Sequence, residues 1–424
     1  MRCVMTSKAD AEAFVWIWLP GEVSPVVAGR LAIDGQGIAQ FNYGRSYLER
    51  SNVTTAAISI YHPELPLQAG LLSPLYGLKM AGCLRDASPD AWGRRVILNK
   101  LLGRNATGRD TLELSELTYL LHSGSDRIGA LDFQRSASEY VPRAAHNVAL
   151  DELLESAQRV EQGIPLTAEL DQALLHGSSI GGARPKALVE ADGKKYIAKF
   201  GSQSDLYSVV KAEFIAMRLA ALVGIDVAAV HLVQACGKDV LLIERFDRQH
   251  STQGWTRKLI VSVLTLLGLD EMQARYASYE TLTELIRHRF AEPQHTLREL
   301  YSRLVFNILC GNTDDHARNH AAFWDGKRLA LTPAYDLCPQ ARSGRVASQA
   351  MLICGEDRSS QLSTCLAAAQ QFLLTRSEAQ SIADRQRAVI EDNWRTVCDE
   401  ALLGEAERNF FWHRQFLNPF VWGE

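Results

Sequence analysis

The sequence predicts an α+β chain in three sections: a β-rich start, a block of β-hairpin, helix and strands, and a mostly helical remainder. Three observations carry that reading. Short apolar runs separated by Pro-Gly or polar residues fill the stretch up to about residue 80. Two alternating segments, Lys186–Glu190 and Lys194–Phe200, flank the turn Ala191-Asp192-Gly193 and so read as a hairpin. Beyond about residue 255 the apolar residues recur mainly at helical spacing.

Length and composition are consistent with this. The 424 residues suffice for two or three packed units of about 100–200 residues each. An apolar fraction of 47% is ordinary for a chain that buries a full core. The balance of 45 basic against 49 acidic side chains, a net of −4, exerts no global pull towards nucleic acid or anionic membrane. Of the eight cysteines, no two are spaced C-x2-C or C-x4-C, so reduced and mostly buried thiols are expected. No apolar run approaches the roughly 18 residues of a membrane span. Phe14–Leu19 is too short for the core of a secretion signal. A cytoplasmic location without membrane attachment is expected.

Taken in order, Phe14–Leu19, Val26–Ile33 and Ala56–Tyr61 read as strands. Pro89–Leu102 reads as a helix, with Ser88 as N-cap and Pro89 at the first helical position. Leu112–Leu121 is a second helical pattern, and Gln134–Asn147, without clear period, is the best boundary candidate. Short helices at Asp151–Glu161 and Thr167–Leu175 precede the hairpin. A helix at Leu206–Leu222 follows it, then strands near Val227–Gln234 and Val240–Arg245. Leu297–Leu309, Glu378–Ala401 and Glu405–Gln415 are the clearer later helices, interrupted by a hairpin of Ala321–Trp324 and Lys327–Leu331 around Asp325-Gly326. The expected division is 1–145, a β-rich subdomain with helices; 146–250, a small lobe; and 251–424, a mostly helical large lobe. This order is the layout of a bilobal protein-kinase-like fold with an N-terminal β-rich subdomain and an all-helical C-terminal lobe.

The residues with chemical potential fall in that order too. In T-D-D-H-A-R-N, Thr313–Asn319, an Asp precedes an Asn by five positions, between a helix and a hairpin. Kinase catalytic loops use this interval because one segment must supply two groups. Asp314 would accept the attacking hydroxyl's proton, and the Asn319 amide oxygen would hold Mg2+ on the phosphates of ATP. Asp336, seventeen residues after Asn319 and past the hairpin, would be the second metal ligand. Asp315 and His316 are read as shaping the loop and orienting Asp314, with His316 counted in the nucleotide-binding set. Upstream, Lys199 ends an alternating strand and suits a cation on the phosphates, with Glu213 fourteen residues later, inside a helix, as its partner. The Gly-rich run from Ser178 to Lys186, containing Ser179, Ile180, Gly181 and Gly182, lets backbone N–H groups approach phosphate, and Lys186 adds charge. At the end of the strand Val240–Ile243, Glu244 and Phe246 are placed to meet adenine through their backbone groups and Asp247 to meet ribose.

Each piece has a plainer reading. Asp and Asn cap helices and fill turns well; Lys199 suits a strand end reaching solvent; the glycines suit a turn; E-R-F-D-R suits an edge-strand end with a weak surface ion pair. His316 and His320, four apart, would suit a zinc site if they shared a helix face.

Together, S-S-I-G-G-A-R-P-K, Y-I-A-K-F, E-R-F-D-R, N-T-D-D-H-A-R-N-H and L-T-P-A-Y-D-L closely resemble the HipA family of bacterial serine/threonine kinase toxins. The segments S-P-D-A-W-G-R-R at Ser88–Arg95, D-R-I-G-A-L at Asp126–Leu131 and S-Q-A-M-L-I at Ser348–Ile353 extend the resemblance over most of the chain. It implies Asp314 as catalytic base, Asn319 and Asp336 as magnesium ligands, Lys199 on phosphate, and Glu244, Phe246 and Asp247 around adenine and ribose. It further implies autophosphorylation of Ser179, or of Ser178 beside it, which would inactivate the kinase. The expected partners are a helix-turn-helix antitoxin of HipB type, a protein substrate such as an aminoacyl-tRNA synthetase, and DNA only indirectly through the antitoxin. Two alternatives stay open: a pseudokinase-like scaffold for antitoxin and DNA, and a small-molecule phosphotransferase on the same lobe plan.

Overall fold

In the computed structural model, residues 10–50, 56–102, 114–143, 149–162, 164, 184–202, 205, 207–340, 344 and 346–423 are described. The chain packs into two compact units, one of Met1–Ser202 with Asp247–Ile260 and the other of Gln203–Phe246 with Val261–Glu424.

The first unit is built on a four-stranded antiparallel sheet, in the order Ala39–Tyr43, Val26–Ile33, Glu12–Ile17, Leu131–Gln134. Val26–Ile33 matches the expected strand, and Glu12–Ile17 lies two residues earlier than expected. Gly29 lies where a Cβ would sit 2.2 Å from the Asn42 carbonyl oxygen, so no larger residue fits there. Leu131–Gln134 is buried along its whole length, which hides the alternation that marks a half-exposed strand.

Ala56–Tyr61, expected as a strand, is irregular. Its backbone is satisfied by side chains instead: the Tyr47 hydroxyl donates to the Ile58 carbonyl at 2.8 Å, and the Ile60 N–H donates to the Tyr43 hydroxyl at 2.9 Å. The apolar pattern records only that the run is buried, not who takes its hydrogen bonds. The expected helix at Pro89 begins at Ala91. Arg94 donates to the Asp90 carbonyl, while Ser88, read as the N-cap, donates its hydroxyl to Glu116 at 2.9 Å. Trp92 is fully buried and its indole N–H donates to the Lys186 carbonyl at 3.0 Å, tying this helix to the hairpin of Lys186–Ala191 and Lys194–Phe200. The hairpin turn has Asp192 and Gly193 both at positive φ, as a two-residue turn requires.

At the sheet's edge lies a buried ion cluster. The Arg127 guanidinium, wholly buried, donates to Asp132 at 2.9 Å and to the carbonyls of Ala87 and Leu120. Arg143, Gln134 and Tyr140 also donate to the Asp132 carboxylate. Burial alone would raise the Asp132 pKa, but Arg127 and Arg143 outweigh it and hold the carboxyl below its ordinary range.

The second unit carries the long helices. Val209–Leu222 opens under the Ser208 N-cap, and Pro293–Cys310 has proline in its first turn and Gly311 as its left-handed cap. Arg376–Glu400 begins with a Thr375–Glu378 capping box and packs on both other helices. Tyr279, Tyr301, Phe306 and Phe372 form part of its core. Two hairpins interrupt the helices: Val230–Ala235 with Lys238–Glu244, and Ala321–Trp324 with Leu329–Leu331. The small hairpin of Arg248–Ser251 and Gly254–Arg257, in the first unit, was not anticipated; its strands are four residues each. Among the described residues no helix is long and apolar enough to cross a membrane.

The ion cluster sets a pH dependence. Because the folded Asp132 carboxyl lies below its unfolded value of about 3.9, its contribution is complete above that value and is lost as pH falls through the folded one. Asp132→Asn should cost about 3–5 kcal/mol at neutral pH by leaving buried guanidinium uncompensated. The variant's urea midpoint should also fall less steeply below about pH 4 than the native protein's. Equal acid slopes in the two proteins would exclude Asp132 as the source.

Candidate active site

The loop at Asn312–Asn319 starts where the helix Pro293–Cys310 stops. Gly311 turns the chain at φ 74°, and a Cβ there would lie 2.5 Å from the Gln415 carbonyl oxygen. Asn312 then donates from backbone and side chain to Asn307, at 2.8 and 2.9 Å, and the Gln340 N–H donates to the Gly311 carbonyl at 3.0 Å. Entry into the loop is therefore fixed by backbone on two sides.

Adjacent acids then point opposite ways. Asp314 is exposed, whereas Asp315 is 1% exposed. The buried carboxylate accepts from the Tyr279 hydroxyl on one oxygen and lies 2.8 Å from His320 Nε2 on the other. Burial pushes the Asp315 carboxyl up, but His320 and the two hydrogen bonds outweigh it and keep the group below the ordinary range. The same surroundings push the Tyr279 phenol far up, chiefly by burial and then by the Asp315 charge, so it stays the donor. Further along, the Val263 N–H donates to the His320 carbonyl and the Tyr335 hydroxyl to the Arg318 carbonyl.

Asn319 closes the loop on itself. Its side-chain amide nitrogen donates to the Asp314 carbonyl at 3.1 Å, so of its two polar atoms the oxygen is the one that could ligate a cation. Asp336 sits at φ 60°, a left-handed conformation that Asp tolerates better than most residues. Its charge reaches Asp314: burial raises the Asp314 pKa, His316 lowers it, and Asp336 and Asp315 raise it again, for a net upward shift. The Asn319 amide oxygen and the Asp336 carboxylate are oxygen donors of the kind that Mg2+ takes together with phosphate. Those two residues fit the ion. The loop does not fit zinc: the stretch is not helical, His320 is turned inward onto Asp315, and no group of three or more His, Cys, Asp or Glu side chains that could hold a metal ion occurs among the described residues.

In the first unit, Lys186 and Lys199 are direct register partners across the hairpin, 4% and 9% exposed. Directly opposed residues share a face, and like charges there repel. The Asp247 carboxylate is buried, with one oxygen accepting from the Gly129 N–H at 2.7 Å and from Arg248 at 2.8 Å. That oxygen is held by the protein itself. Arg248 also donates to the Gly129 and Arg127 carbonyls, so D-R-I-G anchors the segment after Phe246.

In the second unit, Glu213 is buried within its helix. The Glu244 N–H donates to the Ala229 carbonyl, so of its two backbone groups this one is committed to the hairpin and not to adenine. The Phe246 ring packs against Phe323 and Tyr335, at centroid distances of 5.9 and 5.7 Å. Ser178, Ser179, Ile180, Gly181 and Gly182 lie outside the described residues. Sequence reasoning missed Tyr279, which lies 36 positions from the carboxylate it holds.

Residues 18–134 match the HipA N-terminal domain, and residues 178–394 match the HipA-like C-terminal domain. Y4mE of Sinorhizobium fredii, named as a kinase, is 25% identical over 346 residues, 76% of either chain. The serine/threonine-protein kinase toxin HipA of Shewanella oneidensis is 27% identical over 183 residues, 38% of this chain and 42% of that one. A solved structure of the Shewanella oneidensis MR-1 toxin–antitoxin system, with HipA, HipB and operator DNA, shares the fold. Its matching chain has a TM-score of 0.69 at 20% identity, with 95% of both chains covered. The class that fold and relatives define is a HipA-like serine/threonine kinase. The chain belongs to the HipA family.

The entry turn gives a direct test. Gly311→Ala forces a left-handed alanine, about 1–2 kcal/mol, and drives a methyl into immovable backbone. The thermal midpoint should drop by several degrees, whereas Gly21→Ala, equally left-handed at φ 81° but in open space, should cost less. Equal losses would show that the contact with Gln415 is unimportant.

Proposed function

We propose that this chain transfers the γ-phosphate of ATP to a protein serine or threonine, with Asp314 as the base. The observation that carries the reading is the loop itself: an exposed carboxylate, Asp314, whose carbonyl is bonded by Asn319 and whose charge is felt by Asp336. In the reaction the substrate hydroxyl oxygen forms a bond to the γ-phosphorus, the bond to the β,γ-bridging oxygen breaks, and Asp314 takes the hydroxyl proton. Asn319 Oδ1 and the Asp336 carboxylate would hold Mg2+, which when bound neutralises charge on the phosphates. Lys199 and Lys186 would hold phosphate oxygens, and Glu213 would orient Lys199. His316 would keep Asp314 ionised, since its charge opposes the upward shift. Phe246 would support the adenine, with the Glu244 carbonyl at its edge. Asp247 we assign to fixing the adjoining turn rather than to ribose.

The segments 1–145, 146–250 and 251–424 would then serve as accessory subdomain, small lobe and large lobe. The Gly-rich loop would cradle phosphate, with Ser179 or Ser178 as its autophosphorylation site. A phosphoserine carries about −1.5 to −2 charges and would repel the nucleotide from that loop. The Shewanella structure's HipB and operator DNA support a helix-turn-helix partner of HipB type, with DNA reached through it. The net charge of −4 gives this chain no general attraction of its own to DNA. An aminoacyl-tRNA synthetase is the proposed substrate class, and the cytoplasm the proposed location.

The test is incubation of the purified protein with γ-labelled ATP, magnesium and a cell lysate. Label should reach the chain itself and a synthetase-sized protein. Asp314→Ala and Lys199→Met should each reduce transfer at least about a hundredfold, and mass spectrometry should find phosphate on Ser179 or Ser178. Equal labelling by Asp314→Ala would remove its role as base. Absence of nucleotide binding would favour a scaffold instead.

A further inference from the structure

The side chains around Asp315 have no part in the chemistry above, yet they are deeply buried polar groups. Tyr279 is fully buried, Asp315 and His320 nearly so. All three meet in one knot: the Tyr279 hydroxyl lies on one carboxylate oxygen, His320 Nε2 at 2.8 Å on the other, and the hydroxyl and imidazole are 3.3 Å apart. Each member is fastened by another part of the second unit. The Tyr279 ring faces Phe372, and its N–H donates to the Leu352 carbonyl while Leu352 donates back to Ala277. Leu352 belongs to the S-Q-A-M-L-I run, for which the reaction itself offers no use. The His320 and Ala317 carbonyls accept from Val263 and Leu264 at the start of the helix Val263–Leu266.

Asp315 is the covalent neighbour of Asp314, one buried and the other exposed, and the His316 N–H closes back onto the Asp314 carbonyl at 2.8 Å around Asp315. Fixing one buried side chain by two charge-assisted bonds fixes the backbone from which the other projects. We infer that Tyr279 and His320, acting through Asp315, are positioning residues that aim the Asp314 carboxylate at the substrate hydroxyl. This deepens the kinase reading and rests on it. If the Tyr279 hydroxyl is removed, Asp315 remains a buried charge with a donor missing. The loop must then shift to find another, and a displacement of about 1 Å at a reacting group costs on the order of a hundredfold in rate.

The test uses the full chain with Tyr279→Phe, His320→Leu and His320→Gln. Two quantities are read: magnesium-dependent ATP turnover by phosphate release, and hydrogen exchange of the amides in 312–320. Tyr279→Phe should lower kcat at least about tenfold and leave KM for ATP within about twofold, while amides of that loop exchange faster. His320→Gln, which keeps a donor, should recover most of the rate lost in His320→Leu. A lowered thermal midpoint with unchanged kcat per folded molecule would reduce the knot to a structural role and overturn the inference, as would unchanged loop exchange. Should the native protein and Asp314→Ala turn over ATP equally, the assignment of the base falls. Hydrogen exchange then still decides whether Tyr279 holds the loop.

Discussion

The second unit depends on one buried carboxylate. Asp315 sits in an apolar interior where an unpaired charge would cost several kcal/mol. Tyr279 and His320 make its burial tolerable. Because each is set by a separate stretch of chain, the helix Tyr279–Arg289, the segment around Leu352 and the strand Ala321–Trp324 must all be in place before the carboxylate is satisfied. The exposed Asp314 beside it takes its orientation from that arrangement. Asn319 bonds the Asp314 carbonyl from the other side, so a flexible type of structure, a loop, is held nearly as firmly as the helix before it.

A parallel logic governs the first unit. Arg127, Asp132 and Arg143 form a buried group whose charges are matched by hydrogen bonds to backbone carbonyls. Gly129, in the turn that Arg127 begins, donates to Asp247, and Arg248 returns bonds to that turn. Polar groups here add direction to what apolar packing provides, since a buried donor that misses its acceptor is costly to leave unpaired.

Much of this was legible in the sequence because local signals decide it. The hairpin at Lys186–Phe200 is set by alternation and an Asp-Gly turn, and the helices at Leu150–Glu161 and Arg376–Glu400 by their apolar period. The structure places Asp314 and Asn319 on one loop and Asp336 beyond the hairpin Ala321–Trp324 and Leu329–Leu331, the order their spacing in the sequence suggests. What stayed hidden was long-range. Nothing near Ala56–Tyr61 announces that tyrosines at 43 and 47 take its backbone bonds. Nothing near Asp247 announces that Gly129, 118 positions earlier, donates to its carboxylate. The partner of Asp315 is similarly remote. Residue type and spacing reveal which groups can act; only the fold tells which of two neighbouring acids faces out.

The opposed pair Lys186 and Lys199 has a consequence for how much change its hairpin tolerates. Side chains alternate faces along a strand, so a slip of one residue sends every one of them to the other face. The Asp192-Gly193 turn and the Trp92 bond to the Lys186 carbonyl pin that register. An insertion of one residue in either strand would carry one buried lysine to the face opposite its partner, which makes strand length, more than residue type, the quantity this hairpin must keep.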